Sequence, residues 1–263
     1  MEDKENKNPP ETSGRENEGV YSRSVAARVT DIAATAVMVL GTIYCAVLFA
    51  TGGTGVNGFL YKLSGTLISA LLFVAFFVFE RLSKLRIPAF LYVFLKIFIV
   101  CALVFGRTYD FYVLVPYWDK ILHTVSGFLF FFAGMSVGTL VFGEKHGMSD
   151  KRFTVALCVF GLMFALAAGY VWELIEFAGD SLLGMDNQRW AEGLLSENAD
   201  GTFTVTDARG TALLDTLGDM YVNFIGAAIC TVACLIAFLR RPERLRKLVS
   251  FAKVKDNSDK ARH

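Results

Sequence analysis

The chain has 263 residues and a formal net charge of only +1, a balance that implies neither nucleic acid nor any bulk acidic partner. Apolar residues make up 54% of it and the mean hydropathy is +0.46, which excludes an ordinary soluble domain. Its five cysteines (Cys45, Cys101, Cys158, Cys230 and Cys234) all lie inside apolar runs, so they read as small core residues rather than a disulfide or zinc framework.

Residues 1–27 are rich in Glu, Lys, Asn, Ser and Pro. They offer too little apolar surface to offset the entropy of ordering, so a disordered tail is expected there. No apolar segment follows the start directly, so no signal peptide is expected. A membrane domain is expected over residues 28–240. Six apolar runs in it are long enough to cross a bilayer core, which takes about 20 helical residues. They are Val29–Ala50, Phe59–Phe79, Ile87–Gly106, Ile121–Phe142, Phe153–Phe177 and Ala212–Leu239. None alternates apolar with polar residues as a membrane barrel strand would. The fold class is therefore all-α, a polytopic bundle of six transmembrane helices.

Basic residues set the orientation. Arg81, Lys84 and Arg86 follow the second run, Lys145, Lys151 and Arg152 the fourth, and Arg240, Arg241, Arg244, Arg246 and Lys247 the sixth. The alternate loops are neutral, nearly balanced or net acidic, so both termini are expected to be cytoplasmic. Residues 241–263 then form a basic cytoplasmic tail, disordered from about Ser250. The long loop 179–211 is extracytoplasmic. In it, Asp186–Leu195 is expected to form a short interfacial helix carrying Trp190, and the stretch Ala199–Gly210, with Thr202–Thr206 between turn residues, a small hairpin.

Three segments place ionisable groups at helical spacing near the extracytoplasmic ends of spans. Asp119 and His123 are four residues apart. Glu173, Glu176 and Asp180 form a stripe at i, i+3 and i+7, while Asp215, Asp219 and Asn223 follow one another a turn at a time. The topology puts all three at one depth, within about 11 Å (two turns) of the surface. Acids are costly against lipid, so they should face one another or water. So many carboxylates in one dry pocket require protons or a cation. Asp119, Asp180 and Asp215 sit near helix ends, where an interfacial or capping role also accounts for a carboxylate. Asn223, the deepest, also suits an interhelical hydrogen bond. A set of one His and several carboxylates suits Mg²⁺, Mn²⁺ or Zn²⁺. Lys96, alone in the third span, has two readings: a partner for an acid or anionic head group, or a snorkelling side chain. Trp118, Trp172 and Tyr117 read as interfacial anchors. Gly134, Gly138 and Gly226 read as points of close helix packing.

The motifs D-K-x-x-H at Asp119–His123, W-E-x-x-E at Trp172–Glu176 and D-T-x-x-D-x-x-x-N-x-x-G-A at Asp215–Ala227 resemble the YjdF-type family of bacterial membrane proteins. More distantly they resemble the VanZ-like family, linked to low-level glycopeptide (teicoplanin) resistance. The resemblance implies Asp119, His123, Glu173, Glu176, Asp219 and Asn223 as the matching positions, in a multi-pass protein of the bacterial cell membrane. Where the VanZ-like pattern has a Gln soon after its Glu, this chain has Glu176.

Three functions are compatible with this sequence. The first is a cation-dependent enzyme or binding protein acting on an envelope or lipid-linked substrate from the outer leaflet. In it Asp219 and Glu173 are ligands and His123 or Glu176 a general base. The second is a non-catalytic membrane subunit whose acids organise the bundle or a partner interface. The third is a cation- or proton-coupled transporter, which needs polar groups along its whole path. The inner halves of the last two spans, Val155–Ala168 and Phe224–Leu239, carry no charged residue, which counts against transport.

Overall fold

The computed structural model describes residues 24–143, 150–189, 196–197, 203–204 and 208–253. Among these, the six apolar runs are six helices long and apolar enough to cross a membrane. Helix α1 is Val25–Ala50, opened by Ser24, whose hydroxyl accepts from the Ala27 amide at 3.2 Å. Helix α2 is Val56–Ser83 and ends at Lys84 in the left-handed conformation. The two-residue strand β1 (Leu85–Arg86) leads through Pro88 into α3 (Ala89–Ile99), which continues as a π-helical segment, Val100–Thr108. A single turn, α4 (Phe111–Leu114), precedes α5 (Trp118–Phe142). Helix α6 is Asp150–Leu183 and α7 is Ala208–Phe238. Most of the expected N-terminal tail and the Trp190 end of the expected interfacial helix lie outside the described residues. Residues 184–189 hold turns rather than helix.

The helices sort into two groups. The longest shared interfaces are among α5, α6 and α7, while α1, α2 and the π segment form a second group joined to the first through α3. Small residues set the spacing in the first group. A Cβ on Gly127 of α5 would lie 2.2 Å from the Asn223 carbonyl oxygen of α7, and one on Gly226 would lie 2.2 Å from the Thr124 carbonyl oxygen. Only glycine permits that backbone approach. The core below is apolar: Phe131, Met135, Leu157, Ala165 and Ala227 are inaccessible. Outward faces are apolar too, with Ile32, Leu71 and Ile236 each more than two-thirds exposed, as lipid rather than water requires. The five cysteines are all free, and Cys45, Cys158 and Cys234 are buried.

Three expectations change in this part of the fold. The segment read as a basic tail from residue 241 contains a helix, α8 (Pro242–Val249), whose Leu245 and Val249 are buried against α5, α6 and α7. Its four-residue apolar spacing inside a basic run gives it one buried face, which charge counting hides. Disorder was expected from about Ser250, yet β4 (Ala252–Lys253) pairs antiparallel with β1. That ladder puts the loop after α2 and the C-terminal segment at the same end of the bundle. At the other end, β2 (Ser196–Glu197) pairs with β3 (Phe203–Thr204), so the first strand of the small hairpin lies just before the stretch expected to hold it.

Lys96 has an acidic partner, and it lies in the first helix group. Its ammonium pairs with Asp31 of α1, which also accepts from the Tyr92 hydroxyl at 2.8 Å. The same ammonium sits 4.1 Å from the centre of the Phe73 ring.

Candidate functional site

The polar residues of α5, α6 and α7 meet at the end of the bundle opposite α8. On α5, the chain turns in at Tyr117 with φ of 60° and then runs helically, so Asp119, Lys120 and His123 all lie within its first two turns. His123 stands at the centre. Its Nε2 faces Asp119 Oδ1 at 3.7 Å and Asp219 Oδ1 at 3.8 Å, and its Nδ1 faces Glu173 Oε1 at 3.7 Å. These separations are too long for direct hydrogen bonds. They are close to the gap between two ligands of one ion, about 3.0–3.6 Å when each bond is near 2.1 Å. Asp119, His123, Glu173 and Asp219 are all buried.

Lys120 neutralises part of this charge. Its ammonium donates to Asp215 Oδ1 at 2.6 Å and to Asp219 Oδ2 at 2.8 Å. Arg189, from the loop after α6, lies 4.0 Å from Asp119 and 3.9 Å from Asp215. Among the described residues, the carboxylates of Asp119, Glu173, Glu176, Asp215 and Asp219 thus share only two fixed cations. The deepest acceptors are left over: Asp219 Oδ1 and both oxygens of Glu173 are buried with no hydrogen-bond donor among the described residues. The Thr216 hydroxyl lies beside Glu173 and accepts from Gln188 Nε2 at 2.7 Å. Buried acceptors of this kind cost about 1–3 kcal/mol each unless a proton, water or ion fills them. Ligand atoms of Asp119, His123 and Asp219 lie within 4.8 Å of one another, as do those of His123, Glu173 and Glu176.

Glu176 sits at the margin. It is half-buried, and its Oε1 accepts from the Trp172 indole at 2.8 Å. Trp172 therefore orients an acid besides facing lipid. Trp118 packs edge-on to Phe111 at 5.1 Å, with its indole nitrogen buried; Tyr117 is 78% exposed, as an interfacial side chain would be. Asp180 and Asn223 lie outside the immediate group. The Asp180 carboxylate accepts from the Asn187 and Gln188 amides at 2.7 and 2.9 Å, folding the loop so that Arg189 reaches the acids. Asn223, one turn below Asp219, shares a hydrogen bond of 2.9 Å with Ser126 and occupies space that a Cβ on Gly169 would take. It bridges three helices at the floor of the cluster.

Sequence reasoning missed Lys120, Arg189 and Tyr112. Lys120 lies inside D-K-x-x-H, yet nothing in that motif pairs it with α7; Arg189 left no signal beyond its charge. Tyr112 of α4 lies over Gly106, where a Cβ would meet its ring at 2.3 Å, so the π segment makes room for it. Burial, with Asp119 and Glu176 close by, pushes its hydroxyl well above the usual phenol range and keeps it a proton donor.

Fold and site together define a polytopic α-helical membrane protein with a buried carboxylate–histidine cluster at one end of its last three spans. The chain belongs to the family described as predicted membrane protein (DUF2238), whose model matches residues 36–241 and so all three motifs. The YjdF-type resemblance is broadly to this same family. No curated protein and no solved structure matches the chain.

Proposed function

We propose that this protein is a divalent-cation-dependent enzyme or binding protein of the bacterial cell membrane, acting on an envelope or lipid-linked substrate from the outer leaflet. The observation that carries the reading is the His123 ring held between carboxylates at 3.7–3.8 Å on both nitrogen edges, with buried acceptors of Asp219 and Glu173 unfilled among the described residues. In this reading Asp119, Asp219 and His123 Nε2 hold the ion. Glu173, 3.7 Å from Nδ1, would accept from the Nδ1–H once the ring closes on it with the ion bound, fixing the tautomer and raising the basicity of the ligating nitrogen. Glu173 thus supports the histidine rather than ligating. Glu176, half-buried at the margin, is left as the general base, next to Tyr112 as a donor. A bound cation polarises a phosphoryl or carbonyl oxygen, or makes a nucleophile of water.

The outward orientation rests on the basic residues grouped at the α8 end, opposite the cluster. The VanZ-like motifs favour an envelope substrate, although Glu176 stands where that pattern has Gln. One observation favours the second reading, a non-catalytic subunit: Lys120 already bridges Asp215 and Asp219, as a purely structural cluster would require.

Metal content separates the two. Protein purified in mild detergent without chelator and reloaded with Mg²⁺, Mn²⁺ or Zn²⁺ is expected to carry about one ion per chain by mass spectrometry. An Asp219→Ala/His123→Ala double variant should retain less than a tenth of that. No bound ion in the unmodified protein under any loading overturns the reading and leaves the structural role.

A further inference from the structure

A second feature lies at the opposite, basic end of the bundle. Between the end of α5, the first half of α6 and the end of α7 runs a groove of about 740 Å³. That is within the range of pockets that hold small ligands, about 300–1,000 Å³. Its walls are Phe142, Ala156, Val159, Phe160, Met163 and Leu239, with Lys151 and Arg152 at its mouth. Phe142 and Phe160 meet edge to face at 5.3 Å and form one wall. Ala156 is the small side chain between larger neighbours, and its size makes the concavity.

The lining follows one stripe of α6. Arg152, Val155, Ala156, Val159, Phe160 and Met163 recur at three- and four-residue spacing, so they share a helix face. From Lys151 to Met163 the stripe rises roughly 18 Å at about 1.5 Å per residue. Half the hydrocarbon core of a bilayer is about 15 Å. The groove therefore begins at the membrane boundary and ends near the midplane, the path of one acyl chain in one leaflet.

Among the described residues that line the groove, the charge has one sign. Lys151 and Arg152 are exposed, none of those described lining residues is acidic, and Leu239 is followed directly by Arg240 and Arg241. Arg246 of α8 lies over the ring of Phe153 at 4.9 Å, which draws more basic charge to the same end. An apolar channel one leaflet deep, closed at its polar end by a lysine and an arginine, has the shape and charge of an anionic phospholipid. We propose that this groove is a binding site for a single anionic phospholipid of the leaflet at the α8 end. One acyl chain lies along Ala156, Val159 and Met163, and the head-group phosphate is held by Lys151 and Arg152. Arginine recognises phosphate through paired donors and lysine as a point charge. This site does not depend on the cation reading of the carboxylate cluster, which lies at the other end of the bundle.

The test is lipid retention. The full chain, delipidated in detergent, is titrated with phosphatidylglycerol and, separately, with phosphatidylcholine of the same acyl chains, and bound lipids are counted by native mass spectrometry. The unmodified protein is expected to prefer phosphatidylglycerol at least tenfold. Lys151→Gln/Arg152→Gln should weaken phosphatidylglycerol by about 30-fold, the effect of two basic side chains near an anionic surface, and leave phosphatidylcholine unchanged. Ala156→Trp, which fills the channel and keeps both charges, should lose both lipids at an unchanged melting temperature. Val159→Trp on the same face repeats the test if Ala156→Trp does not fold. Preference that survives loss of the two charges overturns the proposal. So does full phosphatidylglycerol binding by the folded, channel-filled variant, which would mean surface attraction without a groove.

Discussion

Replacing Lys120 with methionine tests whether the lysine and a metal ion compete for the same carboxylates. The ammonium lies 2.6 Å from Asp215 and 2.8 Å from Asp219, whose side chain is 1% exposed against 29% for the lysine. Removing one partner of a buried pair costs about 3–5 kcal/mol. Water reaches the lysine side of this pair, so the loss should fall at the lower limit, about 3 kcal/mol. For a membrane domain of this size that corresponds to a fall in Tm of about 6–12 °C. Asp219, whose Oδ1 faces the cation position, then carries its full charge toward the ion with no ammonium on Oδ2. A divalent ion at 100 times its Kd contributes about 2.7 kcal/mol, which nearly restores the lost stability. Thermal unfolding in detergent, with and without Mn²⁺, reads both effects. The variant is expected to melt lower than the parent without metal and to gain more from Mn²⁺ than the parent does. Unchanged melting, or a fall that Mn²⁺ corrects no better than in the parent, would refute the reasoning.

Gly127→Val should force α5 and α7 apart, because its first added atom would sit 2.2 Å from a backbone oxygen; a loss of about 3 kcal/mol, the upper end for overpacking, should appear in thermal unfolding. Asp31→Asn should destabilise by about 2 kcal/mol, leaving the Lys96 charge buried, and Asp31→Asn/Lys96→Met should recover most of that loss. Additive losses in that double-mutant cycle would mean the pair is not coupled. Asp180→Ala should release the Asn187 and Gln188 amides and speed protease cleavage within 184–189 severalfold, with global stability lowered by no more than about 1–2 kcal/mol.

The spans were legible because length and hydropathy alone decide whether a helix can cross a bilayer. The carboxylates of α6 and α7 were legible because helical spacing puts residues i and i+4 on one face whatever surrounds them. Three features were hidden for different reasons. Lys120 looks like an ordinary interfacial base until α7 is placed beside α5, and its partners are 95 and 99 residues away. Arg189 lies in a loop with φ of 52°, a conformation that charge and periodicity do not encode. The π segment Val100–Thr108 reads as plain apolar helix, since its wider turn is set by packing on α2. There a Cβ on Gly65 would meet the Leu103 carbonyl oxygen at 2.3 Å, and the Thr108 hydroxyl donates to the Lys62 carbonyl at 2.8 Å.

The β1–β4 ladder has a consequence for biogenesis. Strand β1 follows the second span, and its partner comes after the sixth span and α8. During synthesis the early helices are threaded into the bilayer while the Leu85–Arg86 backbone waits for Lys253 and Ala252 to emerge. The bundle is thus fastened by a strand that emerges only after all six spans. A nascent chain stalled before that point should present an open edge to the membrane quality-control machinery, however well its helices have inserted.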